Sequence, residues 1–291
     1  MTICLLPPAT GSATLTATGL AAFPLVCEQG WSLEQLQIGF PGARPVVRSR
    51  ALADGVFDES RYLGSRAVTL TLRIATPTAT QAALDALMPF LSPRRRPILT
   101  YALAGDPTAL RSLELRGIDA PVVIDGPSYQ RIVCSWVSTD SFVQGANQHC
   151  VLFEAGAVTG RTYNLVFNRV YSSTGSTSTG TITNVGNAPA HWTAVLTSTT
   201  TDPTVRINGV DMTFDQNGGV SLVGSQTLNI DTRNRTILLN NDPLTPAYNR
   251  TNFFDWTWDD LLLQPGNNVV QYILDPGDDS SLTLCYYDYW L

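Results

Sequence analysis

Lysine is missing from this chain of 291 residues: all eighteen basic side chains are arginine. A GC-rich genome accounts for such a bias. It has a physical consequence, because arginine forks suit planar, bidentate contacts at subunit interfaces better than an ammonium does. Histidine is nearly missing too, with only His149 and His191 present. A hydrolytic triad needs a nucleophile poised by a base, and no GxSxG elbow or HExxH pair occurs. Charged residues make up 14% of the chain against 44% apolar ones, a balance that buries sizeable cores and excludes a disordered chain. The five cysteines (Cys4, Cys27, Cys134, Cys150, Cys285) are odd in number and contain no CxxC, so neither a disulfide framework nor a zinc site is expected. Reduced, mostly buried thiols are. No stretch approaches the roughly 20 apolar residues of a membrane helix. Met1 to Pro8 lacks a basic region and its apolar stretch is short, so no secretory leader is expected. No internal repeat is found.

The charge is unevenly divided. Residues 1–150 carry twelve arginines against eleven acids, a net of +1, and residues 151–291 carry six against thirteen, a net of −7. A chain of net charge −6 does not bind nucleic acid by phosphate neutralisation, which needs clustered cations. It lets DNA pass nearby without sticking.

Alternation is clearest from Ala67 to Ile74, where Val68, Leu70, Leu72 and Ile74 share one face of a half-buried strand. One helix follows. Thr78 is its expected N-cap, with Gln81 completing a capping box, and Ala83, Leu84, Leu87 and Leu91 share a face. Pro89 predicts an end near Met88. Strands are expected around Leu33–Phe40, Ile98–Leu103, Leu113–Ile118 and Arg131–Val137. Turn residues between Thr139 and Thr159 mark a boundary. The expected division is 1–145, a split-barrel or α+β domain with one helix, and 146–291, an antiparallel sandwich; the chain as a whole reads as mainly β. Asn208-Gly209 and Asn217-Gly218 are hairpin signals, since a type I′ turn needs φ > 0 at both central positions. Ser172 to Gly180 reads as a polar, low-complexity loop.

Candidate chemistry is sparse. His149 neighbours Cys150, but adjacent residues on a strand point to opposite faces and would not meet. His191-Trp192 reads as a strand position at a contact. Asp275-Pro276-Gly277-Asp278-Asp279 lacks the alternating spacing of a calcium loop and reads as a solvated turn. With the acids after Trp258, it is the only source of a paired-carboxylate glycosidase site. Trp192, Trp256 and Trp258 fill a core or offer faces for stacking a sugar. Arg94-Arg95-Arg96, between two prolines, is a solvated loop or an inter-subunit contact. No cofactor or metal is expected, and no enzymatic activity.

Three C-terminal segments fit together: Ile230-Asp231-Thr232 with Arg235-Thr236-Ile237, Pro265-Gly266-Asn267-Asn268, and the final Tyr286-Tyr287-Asp288-Tyr289-Trp290-Leu291. Upstream, Asp54-Gly55 precedes Gly64-Ser65-Arg66-Ala67-Val68-Thr69-Leu70. Their order resembles that of phage distal tail proteins, whose "IDT…RTV", "L.PG.N.I", "L.V.WRD.WL" and "DG…GxRxVxL" motifs recur in the same sequence. The last segment departs by an aromatic in place of the Trp-Arg pair.

The resemblance implies a ring-forming belt domain followed by a galectin-like sandwich. It implies a ring, usually a hexamer, joining the tail tube to the tip or baseplate around a central channel for DNA. Implied partners are copies of this chain, the tail tube protein, a tail hub protein, and the tape measure and receptor-binding proteins. The implied location is the virion tail tip, after synthesis in the host cytoplasm. Tyr62, Arg66, Arg94, Arg95 and Arg96 are the expected ring or tube contacts. Arg66 either pairs with a carboxylate on the next subunit or braces its local turn. The alternative function is a carbohydrate-binding module for host attachment, with Trp192, Trp256 and Trp258 as the stacking platform.

Overall fold

The alternation of Val68, Leu70, Leu72 and Ile74 builds the central strand Arg66–Ile74, where all four side chains are buried. Each such burial stabilises by about 1.5–3 kcal/mol. The structure is a computed structural model that describes residues 13–25, 31–49, 56–74, 77–103, 106–125, 129–154, 177–275 and 278–291. Asp54-Gly55, Cys4, Cys27 and residues 172–176 lie outside them. Strands dominate, all paired antiparallel among the described residues, and the chain divides into two compact units: Met1–Ala146 together with Trp290–Leu291, and Asn147–Tyr289.

In the first unit a five-stranded sheet runs in the order Val122–Asp125, Gln130–Ser138, Arg66–Ile74, Trp31–Ile38, with the short strand Arg116–Gly117 also beside Gln130–Ser138. The helix Pro77–Leu91 lies against it, burying Ala83, Leu87, Phe90 and Leu91. It departs from expectation at both ends. Thr78 is inside the first turn, and Gln81 bonds forward to Asp85 at 2.8 Å instead of closing a capping box. Pro89 does not end the helix. The carbonyl that loses its donor belongs to Asp85, which is exposed to solvent, while Phe90 and Leu91 are held in the core. The Trp136 indole N–H donates to the Phe90 carbonyl at 3.1 Å and fixes that last turn.

The expected strand Leu113–Ile118 is divided between two sheets. Leu113 pairs with Leu99 in the sheet formed by Ile98–Leu103 and Asp106–Glu114, whereas Gly117 pairs with Trp136. Buried Leu115 is the crossing point, its N–H bonded to the Pro97 carbonyl at 2.7 Å. A Cβ on Gly117 would lie 2.0 Å from the Leu91 carbonyl oxygen, so only glycine lets the strand reach the helix end. Arg73 and Arg131 face each other across the sheet, a repulsive pairing. The Tyr129 ring lies under both guanidinium groups, at 4.2 and 5.0 Å, and Glu34 takes a bidentate pair from Arg131.

The second unit holds two sheets. One is ordered His149–Glu154, Asp279–Tyr286, Trp192–Thr201, Thr227–Asp231, Thr236–Leu239; the other is Thr177–Asn184, Gly266–Ile273, Thr204–Ile207, Val210–Thr213. Their inner faces meet where the Tyr272 hydroxyl shares a hydrogen bond with Ser280 at 2.7 Å. Thr177 to Gly180, expected as loop, belong to a strand, and Gly180 lies under the Phe153 ring. Asn208-Gly209 makes the expected hairpin, with φ of 51° and 89°. Asn217-Gly218 also has positive φ but carries the chain from one sheet to the other, because Val210–Thr213 and Ser221–Leu222 pair in different sheets.

Burial pushes the Cys134 thiol and the Tyr272 phenol up to about 12, from ordinary values of 9.0 and 10.0. The folded chain therefore holds two protons more tightly than the unfolded chain does. Their contribution to stability is complete below pH 9 and is lost as pH rises towards 12. The urea midpoint should be flat below that window and fall through it, and Tyr272→Phe should flatten the fall. A midpoint independent of alkaline pH would show that both groups meet solvent.

Candidate functional site

The second unit is built around turns stapled by side chains. Asp231 accepts from the Arg233 and Asn234 backbone N–H groups at 2.9 Å each and from the Asn234 amide at 2.7 Å. Thr232, fully buried, exchanges hydrogen bonds with the Trp192 backbone N–H and carbonyl, both at 2.9 Å. At the Pro265-Gly266 turn, Gly266 takes φ of 90° and buried Asn268 closes the loop. The Asn268 oxygen accepts from Gln264 N–H at 2.7 Å, and its amide donates to the Gln264 and Gly266 carbonyls at 2.7 and 3.0 Å. Asp288 accepts from Val185 N–H at 2.8 Å and lies 3.2 Å from His149 Nε2. The polar residues of the three C-terminal motifs are thus structural members of their turns.

The stacking platform does not exist. Trp192, Trp256 and Trp258 are only 1%, 4% and 9% exposed, and the Trp192 indole N–H is bonded to the Leu261 carbonyl at 2.6 Å. Trp256 and Trp258 pack edge to face, with Tyr248 stacked on Trp258. These rings fill the interior because each finds aromatic partners or a carbonyl there, which leaves no face for a pyranose. Asp278 is occupied by Thr200 Oγ1 and Thr201 N–H, at 2.9 and 2.8 Å, and Asp260 by Thr257. Among the described residues no three His, Cys, Asp or Glu side chains cluster as a metal set.

The expectation of reduced thiols fails at one pair. Cys150 and Cys285, 135 residues apart, are directly opposed across His149–Glu154 and Asp279–Tyr286 and form a disulfide. Their Cα atoms are 4.1 Å apart, as in the narrow pairs of an antiparallel ladder. Closing so long a loop stabilises by about 4–5 kcal/mol in the chain-entropy account. No sequence spacing signals it, because strand register alone brings the two together.

In the first unit the expected contacts are dispersed. Tyr62 lies in Val56–Leu63, its backbone opposite Arg44. Arg66 is 4% exposed: its Nε donates to the Ser141 carbonyl at 2.7 Å and a terminal nitrogen to the Gly39 carbonyl at 3.4 Å. Burial pushes its pKa down, against the opposing influence of Tyr101 and Asp140. Arg66 therefore braces its turn and offers no free guanidinium to a neighbour. Arg94, Arg95 and Arg96 are exposed after the helix, Arg96 pairing with Glu114 at 3.1 Å and Arg95 donating to the Thr18 carbonyl at 3.3 Å.

Two apolar features were not singled out from sequence, because exposure of an apolar residue has no local signal. Phe40 is 70% exposed, with the Arg66 guanidinium 5.9 Å from its ring centre. At the helix end a groove of about 380 Å³ is lined by Met88, Leu91, Pro93, Ile118 and Pro121, among others. It continues into Val122–Asp125, an edge strand exposed at every residue.

No protein-family model matches this chain, and no curated protein does. Among solved structures, the crystal structure of SPP1 Dit, described as a paradigm of the hub adsorption apparatus in Gram-positive-infecting phages, aligns with a TM-score of 0.62 at 12% identity. The alignment covers 96% of this chain and 99% of that one. The phage P2 baseplate in its activated conformation with Ca aligns at a TM-score of 0.42 and 9% identity, over 94% and 97% of the two chains. The SPP1 Dit likeness shows that the two chains share a mainly β fold along nearly their whole lengths.

Alkylation of the denatured, unreduced protein should spare Cys150 and Cys285, and prior reduction should expose both to peptide mapping. Cys150→Ser should lower the thermal midpoint of the protein. Labelling of either cysteine without reduction would show that the two thiols are not cross-linked.

Proposed function

We propose that this chain is a structural component of a phage tail tip. Copies join through the first unit into a closed ring, sixfold by the resemblance, that connects the tail tube to the tip or baseplate and leaves a channel for DNA. The fold shared with SPP1 Dit over 96% of this chain carries the reading, supported by the order of the four motifs. The second unit, galectin-like by the same resemblance, projects outward as a platform for hub or receptor-binding proteins. The tube and tape measure proteins meet the ring along its axis. With both histidines outside any nucleophile motif, the reading assigns the chain no catalytic task.

Modest contacts suffice when ring closure makes them cooperative. The purified protein should therefore be monomeric when dilute and form closed rings at high concentration or with tube protein, as seen by light scattering and electron microscopy. A chain that stays monomeric throughout, or that builds open filaments, would overturn the proposal.

A further inference from the structure

One row of paired residues crosses the five-stranded sheet of the first unit from edge to edge. Ile38 is opposite Val68, Val68 opposite Trp136, and Trp136 opposite Gly117. The row spans three inter-strand gaps, about 15 Å. Beyond one end, two residues past Ile38, stands exposed Phe40; beyond the other, one residue past Gly117, Ile118 is 53% exposed in the wall of the apolar groove. A protruding aromatic and an apolar recess thus occupy opposite ends of one line through the same sheet. A cavity of about 150 Å³ holds a benzene ring, so a groove of about 380 Å³ admits a phenylalanine side chain with its flanking backbone.

We infer that Phe40 of one copy seats in the Met88–Ile118–Pro121 groove of the next, an inference that rests on the ring reading and names its contact. Charge supports a second copy as the occupant. Asp119 lines one wall of the groove. Arg94 follows Pro93 on the groove's other wall, while Asp140 lies close enough to Arg66 to act on its charge. Exposed Arg94 beside the groove therefore has an acidic counterpart, Asp140, on the knob side. Because knob and groove are different surfaces of one chain, the contact is heterologous, and its repetition closes a ring or extends without limit. The fully exposed strand Val122–Asp125 beside the groove is covered by the same step, as an unprotected apolar edge requires.

The test uses two variants of the full chain. Phe40→Ser removes the knob and keeps the groove; Ile118→Arg blocks the groove and keeps the knob. Both positions are exposed, and unchanged circular dichroism and thermal midpoints would show that the fold is kept. Under conditions where the unaltered protein forms rings, each variant alone should sediment as a monomer. Their equimolar mixture should give a species of two chains and nothing larger, since one good knob meets one good groove and both remaining ends are blocked. Rings formed by either variant alone, or a mixture that stays monomeric, would overturn this contact and leave the ring reading standing. Failure of the unaltered protein to form rings, alone or with tube protein, would overturn both.

Discussion

The Trp136 side chain, buried with its indole N–H on the Phe90 carbonyl, sets the arrangement of the first unit. A buried indole must place its single donor, and the carbonyls released at a helix end are acceptors without an intrahelical partner. Meeting that requirement draws the final helical turn over the sheet at the level of Gly117. There the Leu91 carbonyl comes so close that no side chain fits between. Where the helix stops, how the strand after Leu115 enters the sheet, and the recess left between them all follow from one donor finding one acceptor.

The second unit solves its problem of order differently. Its two sheets share an apolar interior, but their connections are fixed by short polar side chains that replace backbone partners at each turn: Asp231 and Thr232 after one strand, Asn268 before another, Asp288 near the chain end. Each staple satisfies N–H or carbonyl groups that a tight turn would otherwise leave without partners. The acidic excess of this half is in part the visible cost of such turns, because aspartate serves at three of them when Asp278 is included.

Much of this was legible in the residues. Period-two alternation located Arg66–Ile74, and Asn208-Gly209 located its hairpin. What escaped was decided at a distance. Pro89 stays helical because Phe90 is anchored from residue 136, and Leu113–Ile118 divides because its two ends find different neighbours. Cys150 meets Cys285 through register alone. Arg66 was noted as an edge residue from its place in a motif, yet its guanidinium is folded inward. Phe40, one residue beyond a glycine in an ordinary apolar segment, gave no hint that it faces water. Local patterns report which face of an element is apolar, and only the tertiary arrangement reports whether that face is covered.

The asparagine-glycine turns also bear on how the molecule ages. An asparagine followed by glycine is prone to cyclise and lose its side-chain amide, turning a neutral donor into a carboxylate. At Asn208 the amide is engaged at both ends, donating to the Asn268 oxygen at 2.7 Å and accepting from Val269 N–H at 2.9 Å. Conversion there would set a negative charge against the oxygen that organises the Pro265-Gly266 turn, but the same two bonds hold the amide away from the geometry of attack. Asn217 has its amide nitrogen on the Asn249 carbonyl at 2.6 Å, in an exposed crossing between sheets. Deamidation in long-stored protein would therefore begin at Asn217, where a new charge meets solvent and the core is untouched.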